Sequence, residues 1–247
     1  MTTIIRARNL IKSYKTRQSA VIPVNDISID IARGEFISIM GPSGSGKSTL
    51  LYALAGIHKL DSGRVEFLGK DLGSMDEEDL TEFRRRHMGL IFQYPTFLPT
   101  LDILDNILLP SYESFPRKDL LIRARGLMKR LGIGDLEERM IGELSGGQLQ
   151  RAAIARAILA KPEIIFADEP TGALNSKTSR EVLDLFADLN KEGMTILLVS
   201  HDIHVAAQSK KVFFLKDGKI LSSLKLVDLK ESEKYEAVNK KMLELGI

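Results

Sequence analysis

The stretch "GPSGSGKST", residues 41–49, decides how the rest of the chain is read. It matches G-x-x-x-x-G-K-[ST] from Gly41 to Ser48. It lies between a short apolar run, "FISIM" (36–40), and a helical pattern, "STLLYALAG", that stops at Gly56. Strand, glycine loop and helix in that order form a phosphate cradle, because glycines let backbone N–H groups turn inward around an anion. Lys47 would bring positive charge to the β- and γ-phosphates of a nucleotide, and the Ser48 hydroxyl suits Mg²⁺. The candidate nucleotide contacts in this loop are Gly41, Ser43, Gly44, Ser45, Gly46, Lys47, Ser48 and Thr49.

The flanking pattern extends the reading to the whole fold. "EIIFAD" (163–168) and "TILLVS" (195–200) are also nearly unbroken apolar runs, as expected of strands buried on both faces of a parallel sheet. Helical patterns follow them, for example "SREVLDLFADLNKEG" (179–193), where Gly193 supplies a stop. "VNDISIDI" alternates Ile27, Ile29 and Ile31 with polar residues, and "RVEFLG" (64–69) reads similarly, which suggests antiparallel pairing in the N-terminal third. Residues 101–160 look mostly helical, with Leu120, Leu121, Ala124, Leu127, Met128 and Leu131 on one face. The expected fold class is an α/β P-loop NTPase core with a parallel sheet, an antiparallel side sheet and an inserted helical subdomain at about 95–160. The main domain is expected over 3–222, with a helical C-terminal extension over 223–247.

Composition narrows the partners. The chain has 247 residues, 44% of them apolar, enough for a real core. Lys and Arg number 35 against 33 Asp and Glu, so no basic surplus argues for nucleic acid. Without cysteine, disulfides and thiolate metal sites are excluded. "MTTIIRARNL" lacks the apolar core of a signal peptide, and no apolar run approaches the roughly 18 residues of a membrane span. If the protein works at a membrane, a partner is expected to supply the spans.

Other residues gather around the phosphate loop in this reading. In "EIIFADE", four apolar residues carry Asp168 to the carboxyl edge of the sheet, where open α/β folds bind ligands. Asp168 could hold a Mg²⁺-bound water, leaving Glu169 as candidate general base. "TILLVSH" puts His201 on the same edge, suited to hydrogen-bond a γ-phosphate; paired with His204 as a metal site it lacks further His or Cys ligands. Gln93 ends the run "LIFQ", and its amide could ligate Mg²⁺ or orient an attacking water. Far downstream, "ELSGGQLQR" (143–151) offers a second serine–glycine helix start, also suited to phosphate.

These pieces, in this order, resemble the ATP-binding subunit of ABC transporters over almost the whole chain, from Tyr14 to about Ile220. "GPSGSGKST" is similar to Walker A, "IIFADE" to Walker B, "LSGGQ" (144–148) to the ABC signature, Gln93 to the Q-loop and His201 to the H-loop. The resemblance implies ATP and Mg²⁺ as ligands, and Tyr14 as the ring stacked on adenine. It also implies a head-to-tail pair, in which Ser145, Gly146, Gly147 and Gln148 act on a second copy's ATP. "FADEPTGAL" looks like the branch holding the macrolide-export, lipoprotein-releasing, cell-division and antimicrobial-peptide resistance ATPases, and "PTGAL" favours the macrolide and peptide groups. "YPTFLPTLDILDNILLP" (94–110) resembles the docking surface for an integral membrane permease, which implies a position at the cytoplasmic face of the membrane. One departure is Asn175, where the family's D-loop usually has Asp; slower or less cooperative hydrolysis is expected. A lipoprotein-releasing or cell-division type of mechanotransmission and a soluble cluster-assembly ATPase stay open as alternatives.

Overall fold

The computed structural model describes residues 2–15 and 20–247. Two sheets carry the chain. The first is antiparallel, ordered β2(Ala20–Ala32)-β1(Thr3–Lys15)-β4(Ser62–Phe67)-β5(Lys70–Asp71). The second is ordered β10(Lys219–Lys225)-β9(Lys211–Lys216)-β3(Phe36–Met40)-β8(Thr195–Ser200)-β7(Ile164–Asp168)-β6(Met88–Ile91). In that sheet β9, β3, β8, β7 and β6 are parallel, and β10 pairs antiparallel with β9. The helices are α1(Lys47–Leu54), α2(Glu77–His87), α3(Ile103–Leu108), α4(Arg117–Arg130), α5(Gly146–Ile158), α6(Ser176–Lys191), α7(Ile203–Ala207) and α8(Glu231–Leu245). Among the described residues no helix is long and apolar enough to cross a membrane.

The unbroken apolar runs have a direct cause. Successive side chains of a strand point to opposite faces, and here both faces are covered. Ile37, Ile39, Ile164, Phe166, Leu197 and Val199 enter one core with α1, α2 and the antiparallel sheet. Phe36, Ile165, Ala167, Ile196 and Leu198 enter the opposite core with α3 to α6. The apolar face read on α4 splits by depth: Leu120, Ala124, Met128 and Leu131 are buried, while Leu121 and Leu127 are partly buried. In a third cluster Val238 of α8 is buried with Met40 of β3 and Phe214 of β9.

The antiparallel pairing expected in the N-terminal third is present, through a strand that the sequence reading did not single out. The alternating Ile27, Ile29 and Ile31 are buried as expected. Their strand, however, does not pair with the 62–67 segment; both flank β1, which lies between them. β1 hides from a period-two search because its register slips at several points, one of them between Ala7 and Leu10, where Asn9 takes a φ of 50°.

Candidate functional site

Parallel strands end together, and here four ends deliver the chemistry to one edge. Met40 of β3 pairs with Ser200 of β8, Asp168 of β7 with Val199, and Ile91 of β6 with Ala167. The loop after Met40, the pair Asp168–Glu169, His201 and Gln93 therefore leave the same carboxyl edge, the usual ligand edge of an open α/β sheet.

The phosphate loop is wedged against its neighbours. A Cβ on Gly46 would lie 1.8 Å from the Pro23 carbonyl oxygen, and one on Gly41 would lie 2.0 Å from that of Leu215. Gly46 also has a φ of 103°, so only glycine fits there without strain. The Gly218 amide donates to the Ser45 carbonyl at 3.1 Å and fixes the loop from the β9–β10 turn. Pro42, Ser43 and Gly44 stay exposed at its tip. α1 opens directly at Lys47 with no side-chain cap, so its first N–H groups are left for a ligand. Lys47 is buried, with Nζ donating to the Gly41 carbonyl at 2.9 Å and the Pro42 carbonyl at 3.0 Å. Burial pushes this ammonium below its ordinary range, against the opposing pull of Glu169 and Asp168.

Asp168 is buried at the end of β7. Ser48 Oγ donates to its Oδ1 at 2.8 Å, and the Tyr52 hydroxyl donates to Oδ2 at 2.7 Å. Burial, and then the bond to Asp168, push the Tyr52 phenol well above its usual range. The next residue, Glu169, has a φ of 44°, a left-handed conformation that costs a non-glycine residue about 1–3 kcal/mol. Its amide donates to the Val199 carbonyl at 3.0 Å, and its carbonyl accepts from Gly172 at 3.0 Å, which holds the turn. Its carboxylate faces His201 Nδ1 at 2.9 Å through Oε1 and accepts from Ser200 Oγ at 3.2 Å through Oε2. The His201 side chain is 61% exposed and that of Glu169 12%, so the imidazole projects from a nearly buried carboxylate.

Gln93 reaches the same corner from β6. A Cβ on Gly172 would lie 3.1 Å from Gln93 Nε2, so the amide sits against the turn that follows Glu169. Among the described residues no hydrogen bond joins it to Ser48 or Asp168. Tyr14 is half-exposed at the end of β1, its hydroxyl 3.2 Å from His58 Nδ1 and Lys12 Nζ 5.3 Å from its ring centre.

The signature residues occupy another place. Ser145 caps α5 in a reciprocal box: its Oγ accepts from the Gln148 amide at 3.3 Å, and Gln148 Oε1 accepts from the Ser145 amide at 2.8 Å. Ser145 and Gly146 are exposed, and among the described residues no hydrogen bond ties 145–148 to the phosphate loop. Asn175 opens α6, with Oδ1 accepting from the Thr178 amide at 3.0 Å.

These features fit a nucleoside triphosphate. Gly41 and Gly46 leave no room for a side chain, the buried Ser45 hydroxyl has no hydrogen-bond partner among the described residues, and the start of α1 is uncapped. The hydroxyl and carboxylate oxygens of Ser48 and Asp168 are hard donors of the kind Mg²⁺ takes.

The family model described as "ABC transporter" matches residues 24–172, from β2 through the phosphate loop and signature to the turn after Glu169. The chain belongs to the ABC transporter ATP-binding family. Its fold is that of an ATP-binding cassette ATPase. It is 43% identical over 223 residues to the bacitracin export ATP-binding protein BceA of Halalkalibacterium halodurans, covering 90% of this chain and 88% of that one. It is 40% identical over 222 residues to the macrolide export ATP-binding/permease protein MacB of Escherichia coli (strain K12), of which it spans only 34%. Among solved structures, the dimeric post-hydrolysis state of the cassette MJ0796 bound to ADP and Pi aligns with a TM-score of 0.84. That alignment has 36% identity and covers 90% of this chain and 98% of the other.

One contributor to the site escapes a sequence reading of the cassette. Tyr52 shares Asp168 with Ser48, and its only sequence signal is the i, i+4 spacing of the two hydroxyls on α1. The cap role of Asn175 was open to inspection, since Asn before an amphipathic run is a standard helix start.

Proposed function

We propose that this ATPase works as a head-to-tail pair that powers a membrane permease at the cytoplasmic face, in a system exporting antimicrobial peptides or related amphiphiles. The observation that carries the substrate class is the 43% identity to the bacitracin export ATP-binding protein along nearly all of both chains. In this reading Tyr14 stacks on adenine, and Gly41, Ser43, Gly44, Ser45, Gly46, Lys47, Ser48 and Thr49 hold the phosphates. Ser48, Asp168 and Gln93 would hold Mg²⁺, which when bound neutralises charge on the phosphate oxygens. Ser145, Gly146, Gly147 and Gln148 present the start of α5 to the γ-phosphate of the second copy's ATP.

Hydrolysis then follows from the Glu169 corner. Glu169 takes a proton from water as the water oxygen attacks the γ-phosphorus and the bond to the ADP oxygen breaks. His201 meets Glu169 through Nδ1, and with both ring nitrogens protonated its Nε2 donates to the γ-phosphate. Loss of that phosphate removes the contact with the start of α5 in the other copy and lets the pair part.

The permease seat is the segment after Gln93. Tyr94, Leu98 and Leu109 are exposed there, whereas Ile103, Ile107 and Leu108 are buried. An adjoining cleft of about 520 Å³ is lined by Phe92, Thr96, Leu109, Pro110 and Arg156, and would accept an amphipathic helix of the permease. Because the chain has no cysteine, Tyr94→Cys provides a unique thiol for cross-linking in native membranes. The expected product joins the chain to a multi-span membrane protein, and deleting the gene should sensitise cells to bacitracin-like peptides. A cross-link to soluble proteins alone would remove the permease, and unchanged sensitivity would remove the substrate class.

A further inference from the structure

We infer that Tyr52 is a positioning residue that holds the Asp168 carboxylate in the orientation needed to receive the cation of the nucleotide complex. The inference rests on the reading that Asp168 helps to hold that cation. Both oxygens of Asp168 are occupied by hydroxyls from one face of α1: Ser48 takes Oδ1 at 2.8 Å and Tyr52 takes Oδ2 at 2.7 Å. The two hydroxyls differ in what else they have to do. Ser48 lies within the phosphate-loop motif, and a cation bound there would use a lone pair of its oxygen while its O–H goes on donating to Oδ1. Tyr52 stands one turn further along, outside that motif, and keeps Oδ2. A carboxylate anchored through one oxygen presents the other in a fixed direction, which is how an outer partner orients a ligand.

The Tyr52 hydroxyl is itself fixed by its ring. The ring meets His58 edge-on at 5.3 Å and 68° and lies 6.0 Å from that of Phe92, the residue before Gln93. The far side of His58 is occupied by the Tyr14 hydroxyl, 3.2 Å from Nδ1. Phenylalanine at position 52 would keep all of this packing and lose only the bond to Oδ2, which makes Tyr52→Phe the discriminating variant.

The test is a Mg²⁺ titration of the full chain carrying a fluorescent ADP analogue, which is not hydrolysed, alongside Tyr52→Phe and Asp168→Asn. Tyr52→Phe should raise the Mg²⁺ concentration for half response about 10-fold, the low end for losing an outer partner. Its melting temperature and its nucleotide affinity in EDTA should match the parent chain. A shift with Asp168→Asn but none with Tyr52→Phe overturns the role of Tyr52 alone. No shift with either variant overturns the role of Asp168 as well. A Tyr52→Phe chain that melts early or loses nucleotide in EDTA assigns Tyr52 to packing and also overturns the inference.

Discussion

The phosphate loop at 41–48 and the signature loop at 144–148 both end in a helix start suited to an anion, yet they are finished in opposite ways. The first is completed from within the chain. Pro23 and Leu215 press on its glycines, Lys47 folds back onto its carbonyls, and Ser48 is tied to Asp168. Its helix is left uncapped. The second is capped by its own Ser145 and Gln148, with Ser145 and Gly146 exposed at the surface. A site that is pre-built but uncapped can bind a nucleotide alone. A site that is capped and exposed reads as a surface waiting for something brought to it.

Each prediction probes one side of that contrast, from largest effect to smallest. Glu169→Gln acts after both loops are in place, and turnover should fall by about 10²–10⁴-fold, the range for a lost general base. ATP-driven pairing should persist, and normal turnover in a steady-state assay would reassign Glu169. Lys47→Ala breaks the self-contained side. Nucleotide binding by the single chain, measured by fluorescence titration, should weaken about 10²-fold, as for removing one partner of a buried charge contact. Unchanged binding would mean the cradle does not depend on its lysine.

Ser145→Ala breaks the open side and should leave single-chain binding as it was. Losing the cap costs the start of α5 about 1 kcal/mol of local stability, so turnover of the pair should drop modestly. Weaker binding to the single chain would erase the contrast between the loops. Asn175→Asp is the smallest change. Either residue caps α6, so stability should shift by less than about 0.5 kcal/mol. The restored charge should modestly raise the hydrolysis rate or steepen its dependence on ATP. If neither changes, the D-loop asparagine is neutral for coupling.

The contrast also explains what the sequence could tell. Strands β3 and β8 were readable to the residue, because burial on both faces leaves a nearly unbroken apolar run. The phosphate loop was readable because its backbone geometry excludes other residues at Gly46. β1 was not, since its bulges break the alternation that marks a half-buried strand. Tyr52 was missed for a different reason. A tyrosine in a core helix has no pattern of its own, and only the fold brings Asp168, 116 positions away, within reach of its hydroxyl. The Ser145–Gln148 capping box was spelled out by S-x-x-Q, though nothing in it says whose phosphate the helix start would meet.

The claim that this chain carries two half-sites is tested most directly by sedimentation of Glu169→Gln with and without Gly146→Asp. The single variant should run as a dimer in ATP and a monomer in ADP. The double variant should stay monomeric in ATP while binding it with single-chain affinity, because a carboxylate at the start of α5 repels the other copy's γ-phosphate. Equal dimerisation of both variants, or no ATP-driven dimer of the first, would contradict it.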